Sequence, residues 1–282
     1  MGLALNANWK GIMKTVKKLN VHDHLWDIGD NTVELLLQKM DQLEIEITCI
    51  TYGARHLFQE YDCNDLVEAA FKKYPHRLCG MGFVHLGVDG PSKVRELKDR
   101  GFAGLKIIYP AVAYNDESAF PVYQEAEKLK MPCLFHLGPV STTSSRPKGV
   151  FIDSNRMRAG MLDPIARECP QLRIIGAHMG WLDHNEAWTL ARMHPNLYLD
   201  TSGNGLLRKQ SREFYEYNIL GWEQTFHKFI FGTDQYYHTW DDVVTTVTDM
   251  LDHTWQVDIE TKNLIFYDNL AAILRWAGVP NL

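Results

Sequence analysis

Eight short apolar runs, each followed by a helical pattern, constrain this chain more than any other feature. They are LNVHDHL (19–25), IEITCITYG (45–53), RLCGMGFVHL (77–86), AGLKIIYP (103–110), PCLFHLG (132–138), LRIIGAHMG (172–180), LYLDTSG (197–203) and FIFGTDQ (229–235). Runs so short and so rich in Ile, Leu, Val and Phe read as strands buried on both faces. Between them lie segments such as TVELLLQKMDQL (32–43), NDLVEAAFKKY (64–74) with an Asn N-cap, and PSKVRELKDRG (91–101) ending on glycine. Strict alternation predicts a parallel sheet with crossover helices. Eight such units predict a closed (β/α)8 TIM barrel. The rival, an open doubly wound sheet, carries a Gly-rich phosphate turn after its first strand, and none follows His24.

The chain has 282 residues, and one such barrel takes about 250. The reading is therefore a single domain over 1–282, with residues 1–18 as an N-terminal extension that includes a basic amphipathic helix over 9–18. The last helix, NLAAILRWAG (269–278), is expected to complete the outer ring. The interval 139–160 is polar, aperiodic and too long for a plain connection. It follows a strand's C-terminal end, so it is expected to be an active-site loop.

Composition excludes several roles. Lys and Arg are dispersed and the net charge is −6, which leaves no nucleic-acid footprint. No apolar stretch approaches the roughly 18–20 residues of a membrane span. The N-terminus lacks the order of charge, apolar run and small-residue site that marks a signal peptide. The five cysteines are odd in number and form no C-x-x-C. They read as reduced thiols of a cytoplasmic protein.

Polar residues near the strand ends carry the chemistry. His22 and His24 stand two apart on strand one, where i and i+2 share a face. Lys106 lies on strand four, His136 on strand five, His178 on strand six and Asp234 on strand eight. Each alone is a weak signal, but imidazole and charge in apolar strands are expensive unless paired, metal-bound or facing a wet pocket. Barrel closure sets strand eight beside strand one, so Asp234 can meet His22 and His24. Imidazoles with a carboxylate make a site suited to Zn²⁺, Mn²⁺ or Fe²⁺.

HDH, FHLG, GAHMGW, LDTSG and FGTDQ, in this order on these strands, resemble the amidohydrolase-related family. This is the branch of the amidohydrolase superfamily that includes aminocarboxymuconate-semialdehyde decarboxylase, dihydroxybenzoate-type decarboxylases, small hydrolases and lactonases. The closing YDNLAAILR resembles that family's final G-N-A-x-x-L-x helix, with Asp268 where Gly is usual. The resemblance implies metal ligation by His22, His24, His136 and Asp234, with His178 acting beside the metal. It implies one divalent metal, zinc first and manganese or iron as alternatives. In two-metal members a strand-four lysine is carbamylated and bridges the ions, so Lys106 is either that bridge or a charge near the site.

The expected function is metal-dependent hydrolysis of a lactone, ester or amide-like bond through a metal-activated water, with His178 and Asp234 as the catalytic residues. Decarboxylation or hydration of a small unsaturated or aromatic acid is the alternative. A non-catalytic metal- or small-molecule-binding barrel is a third reading. Substrate contacts are expected from Trp26, Tyr52, Arg55, His85 and Tyr109, with Arg146, Lys148, Arg156 and Arg158 on the long loop. Arginine suits a carboxylate, so a small carboxylated substrate is expected. Asp200 and Ser202 are read as hydrogen-bonding braces or as purely structural. Tryptophans, eight in all, offer anchors for a homodimer.

Overall fold

The computed structural model describes residues 16–25, 32–52, 63–140, 151–203, 205–218, 222–280 and 282. Its eight parallel strands are β1 (Lys18–Leu25), β2 (Ile45–Tyr52), β3 (Leu78–Val84), β4 (Gly104–Ile107), β5 (Cys133–Phe135), β6 (Ile174–Gly176), β7 (Leu197–Asp200) and β8 (Phe229–Ile230). They pair in sequence order from β1 to β8. The ring is closed by backbone bonds from Val21 N to Phe231 O (3.0 Å) and from Thr233 N and Asp234 N to His22 O (3.1 and 2.9 Å). The fold is a TIM barrel, as the alternation of the sequence predicts.

The helices are α1 (Thr32–Gln42), α2 (Cys63–Lys73), α3 (Pro91–Arg100), α4 (Phe120–Lys128), α5 (Leu162–Glu168), α6 (His184–Met193), α7 (Gly205–Arg208), α8 (Arg212–Asn218), α9 (Trp222–Phe226), α10 (Trp240–Asp249), α11 (Ile259–Asn263) and α12 (Asn269–Ala277). Gly101 ends α3 in a left-handed C-cap, as expected. Asn64 is not an N-cap. Helix α2 starts one residue earlier, and Asn64 is buried, accepting from Phe83 N (2.7 Å) and donating to Phe83 O (3.3 Å). That pair replaces a strand partner and locks α2 onto β3.

Two apolar layers result. Ile107, Phe135, Ile174, Leu199 and Phe229 face the helices, in the larger core. Leu19, Val21, Ile47, Cys49, Met81, Leu134, Ile175 and Ile230 come from strands all around the ring and form a second cluster, the barrel lumen. Leu270, Ala271, Ile273 and Leu274 of α12 join that lumen cluster. The last helix therefore plugs the barrel rather than completing its outer ring: its apolar stripe is buried against the lumen residues.

One irregularity positions the site. Asn20 pairs with Thr48, but Asp23 pairs with Ile50, so β1 carries one extra residue. A β-bulge of this kind breaks the two-residue alternation. Leu19 and Val21 face the lumen below it, and His22 and His24 still face the lumen above it. Without the bulge, the even-numbered histidines would point at the helices.

All five cysteines are buried and free. No helix of the described residues is long and apolar enough to cross a membrane. The expected helix over 9–18 falls almost wholly outside the described residues.

Candidate active site

The site sits at the C-terminal ends of the strands. His22 and His24 lie in β1 and Lys106 in β4, while His136, His178 and Asp234 lie just beyond β5, β6 and β8. The backbone is left-handed at His178 (φ 63°) and Asp234 (φ 46°). Residues with a Cβ hold that conformation only where the surroundings impose it, at about 1–3 kcal/mol each. Gly203 is left-handed too, and a Cβ there would stand 2.3 Å from His178 Nδ1. Only glycine lets the segment after β7 close on the imidazole.

The two HDH rings are each held by their Nδ1. His22 Nδ1 donates to Asp200 Oδ2 (2.8 Å) and lies 3.0 Å from Ser202 Oγ. His24 Nδ1 donates to the Tyr52 carbonyl (2.9 Å). With Nδ1–H committed, each ring presents a lone pair at Nε2. These two Nε2 atoms are 3.3 Å apart, and Asp234 Oδ1 lies 3.0 Å from that of His24 and 3.7 Å from that of His22. Asp234 Oδ1 is itself buried and accepts no hydrogen bond. Three acceptor atoms thus converge, an arrangement that repels itself unless a cation lies among them; the Lys106 ammonium reaches one of the three, His22 Nε2. The donor set of two neutral imidazoles and a carboxylate suits a divalent metal.

The charges agree. Burial, and then the Lys106 charge, pushes His22 down to about 4. Burial also lowers His178, and it lowers His136 further with help from His178 and Lys106. Burial pushes Asp234 and Asp200 up, but His22 and the other imidazoles beside them outweigh it and hold both carboxyls below the usual range. His22, His136 and His178 are thereby held neutral and Asp200 and Asp234 ionised, which is the metal-binding form of each group.

Lys106 is fully buried, and its Nζ donates to His22 Nε2 at 2.6 Å. Burial pulls the ammonium down to about 8, against the raising effect of Asp234 and Asp200. Lysine and a cation therefore compete for one lone pair.

A second group lies behind the first. Asp200 Oδ1 accepts from His178 N (2.8 Å), Ser202 N (2.9 Å) and Ser202 Oγ (2.5 Å). Ser202 Oγ in turn lies 3.2 Å from His178 Nδ1. One buried carboxylate and one hydroxyl thus hold both His22 and His178. His136 stands apart from the three converging atoms. Its Nδ1 is 3.0 Å from His178 Nε2, and its Nε2 is 3.4 Å from the Pro139 carbonyl.

The other residues singled out from the sequence are spread more widely. Tyr52 is buried and reaches the site through its backbone carbonyl. Tyr109 is buried and left-handed at the end of β4 (φ 54°). His85 is half-buried, stacks on Phe83, and is lowered by burial. Trp26, Arg55, Arg146 and Lys148 lie outside the described residues. Arg158 pairs with Asp183, and Arg156 donates to the Pro110 carbonyl (3.3 Å).

Asn20, Asp23, Thr233 and Arg208 had drawn no role from the sequence. Thr233 donates to the Asp23 carboxylate, Asn20 Nδ2 donates to Thr233 Oγ1 (2.7 Å), and Thr233 N donates to Asn20 Oδ1 (3.1 Å). This buried knot ties β1 to the Asp234 segment. The available signal was polarity inside an apolar run, in LNVHDHL as much as in FGTDQ.

The sequence profile of the amidohydrolase family matches residues 48–276. The chain belongs to the amidohydrolase family. The matched segment takes in His136, His178 and Asp234 and begins after HDH. Members of this superfamily, hydrolases and decarboxylases alike, are metal-dependent enzymes. No curated protein matches it in sequence. Solved structures match its fold. An uncharacterised TIM-barrel protein from Bordetella bronchiseptica aligns with TM-score 0.67 at 16% identity, covering 93% of this chain and 99% of that one. A 2,6-dihydroxybenzoate decarboxylase from Rhizobium aligns with TM-score 0.59 at 20% identity, covering 92% and 98%. A 5-carboxyvanillate decarboxylase from Novosphingobium aromaticivorans, solved with bound manganese and 3-methoxy-4-hydroxy-5-nitrobenzoic acid, aligns with TM-score 0.64 at 14% identity, covering 92% and 97%.

Proposed function

We propose that this chain is a metal-dependent hydrolase of a small carboxylated substrate with a lactone, ester or amide-like bond. The observation that carries the reading is the convergence of His22 Nε2, His24 Nε2 and Asp234 Oδ1 on one point, with both Nδ1 atoms already committed. His22, His24 and Asp234 would hold one divalent metal, and His136, whose ring nitrogens face His178 and the Pro139 carbonyl, would have to turn toward them to serve as the fourth ligand. Zinc is the first choice, and manganese or iron the next. When bound, the metal would supply a Lewis-acid centre that acidifies water and polarises a carbonyl.

The chain's own residues then divide the proton work. Asp234, ionised, would orient the attacking water and take its proton through Oδ2, the oxygen left over from the convergence with His22 and His24. Its Oδ2 lies 3.7 Å from His178 Nδ1, so the proton has a short path to the imidazole. His178 delivers it to the leaving oxygen or nitrogen. Asp200 and Ser202 hold His178 and His22 in register, so the two halves of the site keep their spacing.

Decarboxylation is a second reading, favoured by neighbours such as the 2,6-dihydroxybenzoate and 5-carboxyvanillate decarboxylases, which share the fold over nearly the whole chain. Here the His178–His136 pair would protonate the ring carbon as CO₂ leaves. One experiment separates the two. The purified chain, reloaded with zinc or manganese, is screened against lactones, esters and aromatic carboxylates, with acid release and CO₂ release followed together. Acid release without CO₂ supports hydrolysis, and stoichiometric CO₂ supports decarboxylation. His24→Ala and Asp234→Asn should abolish either signal. Turnover that survives both variants removes the metal centre from the reaction.

A further inference from the structure

Among the described residues, Arg208 is a second buried site-side cation, after Lys106, that the proposed chemistry leaves unused. It ends α7, the short helix after β7, and is only 7% exposed. Its Nη1 donates to the Thr201 carbonyl at 2.6 Å, one residue past Asp200. Its Nε is buried with no acceptor. Among the described residues no carboxylate pairs with it, whereas nearer the surface Arg100 pairs with Asp65, Glu68 and Glu96, and Arg167 with Asp163. A buried guanidinium without a counter-charge is strongly disfavoured. Arginine does not escape by losing its proton, since it stays charged in proteins. An anion is what the position lacks.

The placement points at the substrate. The segment from Gly203 to Arg208 starts with Gly203 pressed on His178 Nδ1. It ends with Arg208 bonded beside the residue that holds His22. Gly203 and Arg208 therefore both lie past the C-terminal end of β7, on the catalytic face. Asp200 and Asp234 are near enough to favour the charged guanidinium, while burial disfavours it. Both carboxylates are already spent, on the imidazoles and on the three-atom convergence. The planar fork of an arginine matches a carboxylate through two parallel N–H donors.

We infer that Arg208 is the residue that receives the carboxylate of the substrate. This rests on the carboxylated-substrate reading above. It makes Arg208 a specificity-determining residue, and it assigns the anchor to the segment after β7 rather than to the long loop after β5.

The test uses the full chain with manganese added. Benzoate, 2-hydroxybenzoate and fumarate are titrated against the uncharged benzamide, phenol and fumaramide, by calorimetry. The variants are Arg208→Gln and Arg208→Lys, the second keeping a charge if the first fails to fold. Wild type should prefer at least one carboxylate over its uncharged partner. Arg208→Gln should weaken that carboxylate by on the order of 30-fold or more, with the neutral probe, the metal content and Tm little changed. Arg208→Lys should fall between them, because an ammonium cannot replace the fork. If wild type binds no carboxylate above its uncharged partner, the carboxylated-substrate reading fails and the inference with it. If wild type prefers the carboxylate and both variants keep that preference, only the assignment to Arg208 is overturned. An equal loss for charged and neutral probes, with a fall in Tm, makes Arg208 a brace of the Thr201 carbonyl and also overturns it.

Discussion

Asp200→Ala tests whether the carboxylate behind the site sets the metal-binding geometry. Asp200 is fully buried and accepts from His22 Nδ1, His178 N, Ser202 N and Ser202 Oγ. Truncation leaves those donors unpaired in a place water does not reach. Removing one member of a buried, hydrogen-bonded charge cluster costs about 3–5 kcal/mol. At roughly 2–4 °C per kcal/mol for a domain of this size, Tm should fall on the order of 10 °C. Metal affinity should fall about 10–100-fold, the usual effect of losing the partner that orients a ligating histidine. Asp200→Asn separates the two effects. Its amide oxygen can still accept from the two backbone N–H groups, so Tm should fall less. Its NH₂ would meet His22 Nδ1–H donor to donor and turn the ring or its tautomer, so metal affinity should fall as far as in the alanine variant. The assay is competition with a chromophoric chelator for Zn²⁺ or Mn²⁺, alongside thermal unfolding of the metal-free chain. Both variants binding metal within twofold of wild type, whatever happens to Tm, would refute the claim that Asp200 orients His22.

Other outcomes follow from the same geometry. Elemental analysis of protein purified without chelator should find about one divalent metal per chain; about two would make Lys106 a bridging ligand. His136→Ala should keep the far-UV circular dichroism of wild type while losing metal retention and activity, and a variant with full metal would remove His136 from the ligand set. Gly203→Ala forces a Cβ toward His178 Nδ1 at a left-handed position. It should lower the turnover found in the substrate screen by about 100-fold through displacement of the imidazole, and unchanged kinetics would mean the loop moves away freely. Trp188→Ala removes a fully buried ring whose Nε1 donates to the Met179 carbonyl (2.9 Å), next to His178. It should cost about 3–5 kcal/mol in denaturant unfolding, and a loss under about 1 kcal/mol would show that the pocket closes without the ring.

The candidate site was legible to different depths. HDH was visible because two imidazoles in an apolar strand need a reason to be there. His136, His178 and Asp234 were visible because they end other apolar runs, and barrel closure brings strand eight to strand one. Asp23, Asn20 and Thr233 were overlooked although they sit in the same runs. Their role is to pair with one another across β1 and β8, and no spacing within one strand reveals a partner over two hundred residues away. Arg208 was invisible for a related reason. In sequence it is one more arginine before a lysine, and only burial separates it from the solvated ones.

The sequence alone determined the barrel, because alternating buried strands and amphipathic crossovers leave few other ways to cover both faces of a parallel sheet. It also determined which residue types stand at the strand ends. The tertiary structure decided which way they point. A single extra residue in β1 keeps Val21 and His22 both facing the lumen, and a period of two cannot express that. It also decided that α12 plugs the lumen and that one carboxylate, Asp200, holds two histidines. The physical reason is shared by all three. Side-chain direction, burial and hydrogen-bond pairing depend on what arrives from distant parts of the chain, and the residues that meet at this site are brought together only when the ring closes.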